Sequence, residues 1–320
     1  MLASFIGLDF GGSFIKAGLV SKNLKIKSFS EARVPLKATR GEVLKIIFGL
    51  IHKIKYENKL KKIKAIGIAC AGPVDSKKGI VKVAPNFTHW KGKPFHLGKA
   101  LKSKFKTHVQ LENDTTAAAV AEFYSRKKKK RKITSLVTLT LGTGIGGGVV
   151  INGKPLRGLN WLGGEIGHVP LFQGQERQRC VCGNAYCAET YGSATALVKR
   201  FKELTKNNSH YLITNLTAEK IAADAKHGDP LSKQVFEEVG SFLGLLISII
   251  CNILDPDVVV IGGGMSKAHA LFMPALKKKF SQHAFMHHLR KKNPIEISSL
   301  NKTAGLLGAV LCVHKGKDSY

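Results

Sequence analysis

Acidic residues are scarce in this chain: 21 Asp and Glu stand against 51 Lys and Arg, leaving a formal net charge of +30 over 320 residues. Such an excess raises the question of a nucleic-acid partner, because clustered Lys and Arg neutralise phosphates. Here the charge is spread along the chain. Its densest run, residues 126–132, accounts for only seven of the positive charges, and no aromatic residue interrupts it. Solvated basic faces are therefore expected, with no dedicated nucleic-acid partner. Neither GxxxxGK[ST] nor GxGxxG is present as a strand-turn-helix, which argues against P-loop and dinucleotide-binding folds. The longest apolar stretch, residues 239–254, is broken by Gly240, Ser241, Gly244, Ser248 and Asn252. It falls short of the ~20 apolar residues of a membrane span, so a buried helix and no membrane partner are expected. The opening MLASFIGLDFGG has no basic leader and no small-residue cleavage site, and reads as a strand. Cysteines number only six. Cys70, Cys251 and Cys312 lie in apolar segments, while Cys180, Cys182 and Cys187 form a tight trio in a chain too long for a small disulfide framework. Reduced thiols in a cytoplasmic protein are expected.

What is present points to two lobes around a cleft, each with its own core. Residues 4–8, 15–20 and 26–32 read as three hairpin-connected strands, followed by a helical period over residues 42–55. Residues 63–69 and 109–111 read as short strands, and residues 115–124 as an alanine-rich helix. The basic run 126–132 is expected as a solvated excursion. Residues 135–141 form a strand entering the glycine cluster 142–148, with residues 149–151 as its hairpin partner. This resembles the first hairpin, and suggests an internal duplication, one copy per lobe. A further strand at residues 258–261 runs into Gly262, Gly263 and Gly264, and a last helix over residues 303–313 is expected to pack back on the N-terminal lobe.

Glycine clusters following strands, at residues 9–12, 142–148 and 262–264, let backbone N–H groups approach phosphates; turns needing positive φ are the alternative explanation. Asp9 suits a water-bridged Mg²⁺ and Ser13 a phosphate. Asp114, between a strand and a helix, is either an N-cap or a general base that takes a proton from a substrate hydroxyl attacking a γ-phosphoryl group, with Asn113 orienting that substrate. His168 with Cys180, Cys182 and Cys187 makes a closed Cys₃His set, the ligand count of structural zinc. Glu165 and Glu189 flank that set, and with Asn86, Asn113, Asp114 and His168 they supply the hydroxyl-binding groups that a sugar pocket requires.

In order along the chain, Asp9-Phe-Gly-Gly-Ser13, Ala71-Gly-Pro-Val-Asp75, Ala84-Pro-Asn-Phe87, Glu112-Asn-Asp114, Leu141-Gly-Thr-Gly-Ile-Gly-Gly-Gly148, Glu165-Ile-Gly-His168 and the cysteine cluster resemble the ROK family of repressors, open reading frames and kinases. That resemblance implies an α/β, actin-like ATPase (ribonuclease H-like) fold. The N-terminal lobe would take residues 1–113, completed by the C-terminal helix at about residues 300–316, and the C-terminal lobe residues 114–299 with the zinc loop. It implies an ATP-dependent sugar kinase, probed first with glucose, whose catalytic base is Asp114 and whose sugar contacts are Gly72, Asn86, Asn113, Asp114, Glu165, His168 and Glu189. ATP and Mg²⁺ contacts fall to Asp9, Gly11, Gly12, Ser13, Lys16, Gly142, Thr143, Gly144, Gly262, Gly263 and Gly264, and zinc to His168, Cys180, Cys182 and Cys187. A homodimer is implied as well. An N-acetylhexosamine kinase and a sugar-sensing or nucleic-acid-binding regulator stay open. Because the Asp9 motif comes within ten residues of Met1, a leading DNA-binding domain is not expected. The sequence departs from the family pattern at Ser13, which keeps the hydroxyl of the usual threonine, and at Tyr186, where glycine is usual and a positive φ would cost tyrosine.

Overall fold

The computed structural model describes residues 4–21, 23–84, 87–90, 92–129, 132–171, 179–206, 215–290 and 295–315. In chain order the elements are β1 (Phe5–Phe10), β2 (Phe14–Val20), β3 (Ile26–Arg33), α1 (Arg40–Glu57), β4 (Ala65–Cys70), β5 (Val74–Asp75), β6 (Ile80–Val81), α2 (Leu97–Phe105), β7 (His108–Asn113) and α3 (Asp114–Lys128). Next come β8 (Leu136–Leu141), β9 (Ile145–Ile151), β10 (Lys154–Pro155), α4 (Glu189–Gly192), α5 (Ala194–Thr205), α6 (Ala218–Lys226) and α7 (Pro230–Leu254). The chain ends with β11 (Val259–Gly262), α8 (His269–His283), β12 (Ile295–Ile297) and α9 (Ala304–Lys315).

Two five-stranded sheets run β3-β2-β1-β4-β7 and β10-β9-β8-β11-β12. In the first, β1 pairs antiparallel with β2 and parallel with β4, which pairs parallel with β7. The second repeats this plan, with β8 parallel to β11 and β11 parallel to β12. This is the duplication suggested by the two glycine-bearing hairpins. The inner strand β4, AIGIAC, is buried at every position, as a parallel strand covered on both faces must be. The edge strand β3 alternates, exposing Lys27, Phe29, Glu31 and Arg33. Helix α1 starts at a capping box, with Thr39 Oγ1 accepting from the Glu42 N–H and Glu42 accepting from the Thr39 N–H. Its buried face, Val43, Ile47, Leu50, Ile51 and Ile54, follows the helical period.

Two compact units emerge from the contacts: Met1–Thr134 with Gly148–Gly164 and Lys302–Tyr320, and Ser135–Gly147 with Glu165–Asn301. The cut expected after residue 113 therefore falls elsewhere. Helix α3 stays with the first unit because it packs against α9 through backbone-close contacts: a Cβ on Gly308 would lie 1.8 Å from the Ala117 carbonyl oxygen. Helix α9 also lies directly on the sheet, since a Cβ on Gly67 of β4 would lie 1.9 Å from the Ala309 oxygen. Ala69, Ala117 and Ala309 form the small buried cluster at that junction. The basic run is not a solvated excursion at its start. Arg126, Lys127 and Lys128 are the last turn of α3, where positive charge suits the helix dipole. Arg126 is buried and paired with Glu122 one turn back.

In the second unit, α7 extends 25 residues, so it is long and apolar enough to cross a membrane by length and composition. It begins earlier than the apolar stretch because Asp229 caps it and Pro230 fills the first position. Gly240 and Gly244 admit α8: a Cβ would meet the Phe272 and Leu276 oxygens at 2.3 and 2.4 Å. Gly146, Gly147 and Gly148 belong to strand β9 and not to the turn before it. Gly308→Ala would overpack the α3–α9 contact and should lower the unfolding free energy by about 1–3 kcal/mol. The check is the urea midpoint, and an unshifted midpoint would contradict this packing.

Candidate functional site

Register in the first sheet lines up Asp9, Ala69 and Glu112 in one row and Phe10, Cys70 and Asn113 in the next, all at the C-terminal ends of parallel strands. Lys16 Nζ lies 3.3 Å from Asp9 Oδ2, and the tight turn of Gly11, Gly12 and Ser13 joins the two strands that carry this pair. Neither Gly11 nor Gly12 has a positive φ, so a left-handed turn is not what requires glycine there. Gly305 at the start of α9 leaves room for Asp9, whose Cγ would be 3.2 Å from an added Cβ.

Strand β7 passes into α3 without a loop. Asn113 is the N-cap: its Oδ1 accepts from the backbone N–H groups of Thr115 and Thr116 at 3.1 and 3.0 Å. Asn113 is therefore the cap, and Asp114, at the first helical position, also accepts from the Thr115 N–H through Oδ1 at 2.9 Å. Asn113 Nδ2 donates to Asp114 Oδ1 at 3.2 Å and to the Gly72 carbonyl at 3.1 Å, where Gly72 has φ 88°. Gly72, Asn113 and Asp114 are thus brought together. Burial pushes the Cys70 thiol far up, and the carboxylates of Asp114, Asp9 and Glu112 add to the shift, which marks how closely the acids converge on this edge. Asn86 lies outside the described residues.

In the second unit, one ligand atom each from His168, Cys180, Cys182 and Cys187 lies within 4.8 Å of every other. His168 Nδ1 is 3.5 Å from Cys180 Sγ, and the Cys182 and Cys187 sulfurs are 3.6 Å apart. Tetrahedral zinc with ~2.3 Å bonds to sulfur sets sulfurs about 3.8 Å apart, so these donors fit the ion in number, type and spacing. Burial pushes the Cys180 thiol up to about 12 and raises Cys187 too. At Cys182 burial acts the same way but is outweighed by hydrogen bonds from the Asn184 backbone and the other two thiols, which lower it. Three thiols this close do not share negative charge readily without a cation. Tyr186 has φ 61°, so the loop keeps the left-handed conformation that glycine would adopt freely. Its neighbours hold it there: the Leu171 N–H donates to the Tyr186 carbonyl at 2.8 Å, and Pro170 bridges to Cys187.

The remaining ring nitrogen of His168, Nε2, is 3.8 Å from Glu165 Oε2. Glu189, at the start of α4, accepts from the Ile145 N–H at 3.0 Å and lies 3.6 Å from Cys180 Sγ. Gly144 permits this approach, because its Cβ would sit 2.0 Å from Glu189 Oε2. Gly167 is required in the same way, its Cβ falling 2.0 Å from the Ile145 oxygen. Glu165, His168, Glu189 and the cysteines therefore form one constellation joined to the 142–144 turn.

Beside that turn is a cavity of about 830 Å³, lined among others by Gly142, Thr143, Thr195, Glu219, Lys226, His227, Gly264 and Lys267. Its walls are ordered from within. The Ala194 N–H donates to the Gly142 carbonyl at 2.9 Å and the Thr195 hydroxyl to the Thr143 carbonyl at 2.7 Å. Gly263 needs to be glycine twice over, with φ 86° and a Cβ that would meet the Leu141 oxygen at 2.2 Å. Gly142 and Gly264 have neither reason: their φ is not positive, and an added Cβ meets nothing within 4 Å. What they keep clear is the cavity itself. Sequence reasoning found the glycine rim but missed the walls supplied by α5, α6 and the segment after Gly264. Those residues are of ordinary type, and only folding gathers them.

A family model, ROK family, matches residues 5–316. The glucokinase of Thermotoga maritima is 31% identical over 311 residues, covering 95% of each chain. A xylose repressor of Caldicellulosiruptor bescii is 30% identical over 98% of this chain and 78% of its own. Among solved structures, the Streptomyces griseus ROK family glucokinase in complex with glucose and AMPPNP superposes with a TM-score of 0.82 at 27% identity, over 98% of this chain and all of that one. The motifs, the paired sheets and the family match agree: this chain belongs to the ROK family.

Proposed function

We propose that the protein is an ATP-dependent sugar kinase that phosphorylates the 6-hydroxyl of a hexose, with glucose as the first substrate. The observation that carries this reading is the Asn113–Asp114 turn. Asn113 caps the helix and donates to Gly72, while the Thr115 N–H and Asn113 Nδ2 both donate to Asp114 Oδ1, so the carboxylate proposed as the base is held in a fixed orientation at the C-terminal end of β7. Likeness to the glucokinases of Thermotoga maritima and Streptomyces griseus supports the same reading.

In the proposed reaction Asp114 accepts the proton of the sugar 6-hydroxyl as its oxygen attacks the γ-phosphorus. The new O–P bond forms while the bond from the γ-phosphorus to the β–γ bridging oxygen breaks, and ADP leaves with that oxygen. Asn113 and Gly72 orient the sugar near the base, and Glu165, His168 and Glu189 take further hydroxyls, with Asn86 a candidate for the same role. Thr143, the 142–144 turn and the 262–264 glycines hold the nucleotide, with the 830 Å³ cavity receiving its nucleoside end. Asp9, Lys16 and the Gly11–Gly12–Ser13 turn are the proposed phosphate contacts of the first unit. Asp9 would hold a water-bridged magnesium ion, which would neutralise phosphate charge. Zinc on His168, Cys180, Cys182 and Cys187 would neutralise the thiolates and fix the loop carrying His168 and Glu189.

A second reading, a sugar-responsive regulator, is favoured by the likeness to the xylose repressor. It predicts sugar binding without phosphoryl transfer, and the same assays separate the two.

ADP release over a panel of glucose, mannose, fructose, N-acetylglucosamine and N-acetylmannosamine should show turnover with glucose first, and an N-acetylhexosamine preference would redirect the substrate while keeping the chemistry. Asp114→Asn should lower kcat by about 10²–10⁴-fold while sugar affinity stays within a few-fold, and near-normal kcat would remove the assigned base. Purified protein should hold about one zinc per chain, and Cys182→Ser should lose it together with sugar affinity. A metal-free protein of full activity would overturn the metal assignment. Gly142→Val should raise the KM for ATP about tenfold or more with the melting temperature unchanged, because its side chain enters space that only ligand would fill.

A further inference from the structure

Glu112 is an acid that this mechanism leaves idle, yet it precedes Asn113 directly and is 2% exposed. Both of its oxygens are engaged. Oε1 accepts the Ser76 hydroxyl at 3.0 Å and the Asn113 backbone N–H at 3.2 Å. Oε2 accepts from Arg157 Nε at 2.9 Å and lies 2.7 Å from an Arg157 terminal nitrogen. Arg157 in turn stands at the neck of a closed loop: the Gly163 N–H donates to its carbonyl at 2.8 Å, with Gly158 and Trp161 at φ 71° and 64° inside the loop. Gly163 makes that neck possible, since a Cβ there would meet the Arg157 carbonyl carbon at 2.8 Å. From the neck the chain runs through Gly164 straight to Glu165.

A buried ion pair is a weak reason for stability, because desolvating both charges offsets their attraction and apolar residues of similar volume serve as well. What the pair adds is direction: two Arg157 donors hold Oε2, the Ser76 hydroxyl and the Asn113 N–H hold Oε1, and together they fix the carboxylate plane. Here that plane also fixes the Asn113 N–H, and so the turn bearing Asp114. The root of the loop leading to Glu165 is fixed by the other partner.

We propose that Glu112 and Arg157 are positioning residues for phosphoryl transfer, a clamp that sets the Asn113–Asp114 turn and the 157–163 loop with respect to each other. This rests on Asp114 as the base. Displacements of about 1 Å cost catalysis about 100-fold, so a clamp of this kind acts on kcat more than on ATP binding.

The test uses Glu112→Gln, Arg157→Met, Arg157→Lys and the double variant Glu112→Gln/Arg157→Met, with Asp114→Asn alongside. Glu112→Gln and Arg157→Met should each lower kcat about tenfold or more and raise the sugar KM with the KM for ATP unchanged, and Arg157→Lys should lose less than Arg157→Met. The double variant, which buries no unpaired charge, should regain the parental melting temperature but not the parental kcat. Recovery of both, or single variants within twofold of the parent, would overturn the clamp. Hydrogen exchange decides independently of turnover. Amides 113–116 and 157–163 should both exchange faster in the double variant, and an unchanged 113–116 segment would refute the coupling. Should the parent phosphorylate no sugar, or should Asp114→Asn keep full turnover, the kinase reading or its base fails while the exchange result still judges the clamp.

Discussion

Strand register is the constraint on which the rest of the first unit depends. Because β1, β4 and β7 are parallel and in step, their C-terminal ends coincide, and Asp9, Glu112 and Asn113 arrive at one edge of one sheet. A slip of one residue in β7 would send Glu112 to the opposite face and part it from Ser76 and Arg157. The direct passage from strand to helix at Asn113 then turns the register into a site. The same residue ends β7, caps α3 and donates to Asp114, so little freedom is left at the carboxylate proposed as the base.

Close packing enforces that register. Helix α9 can lie on β1 and β4 only because Gly7 and Gly67 carry no side chain, and α3 meets it at Gly308. In the second unit Gly144, Gly167 and Gly263 serve the same purpose around Glu189, Ile145 and Leu141. The glycine clusters thus divide by cause. Some admit neighbouring backbone or carboxylate, Gly263 also needs its positive φ, and Gly142 and Gly264 border open cavity space.

Much of this was legible in the sequence because it is local. Apolar runs ending in polar turns marked β1, β4, β7, β8 and β11, and the His168 and cysteine spacing marked a four-donor set that folding does bring together. The cost foreseen for Tyr186 is present as a positive φ. The reading failed where tertiary contact overrides local pattern. Residues 126–128 look like an exposed basic stretch, yet Glu122 one turn earlier supplies a buried partner for Arg126. Gly146–Gly148 look like turn, yet they lie in β9, where a Cβ on Gly148 would meet the Thr115 oxygen at 2.2 Å. The walls of the cavity and the Glu112–Arg157 pair join residues far apart in sequence, and no spacing rule reaches them.

Four filled donor positions also bear on why metal and base chemistry stay separate in the proposed enzyme. A metal that activates water keeps a coordination position open, whereas Cys₃His leaves none, so an ion held there acts through the geometry of its ligands. His168 is the ligand able to transmit that geometry. Nδ1 lies 3.5 Å from Cys180 Sγ and Nε2 3.8 Å from Glu165 Oε2, so an ion bound at Nδ1 would fix the tautomer and leave Nε2–H on the side of Glu165. Glu189 is held from two sides, by the Ile145 N–H and by its approach to Cys180, so it too takes its place from the cluster and the 142–144 turn together. An ion on this set would therefore act on the geometry of His168 and Glu189, while the carboxylate proposed as the base takes its position from strand register, the Asn113 cap and the Glu112–Arg157 pair.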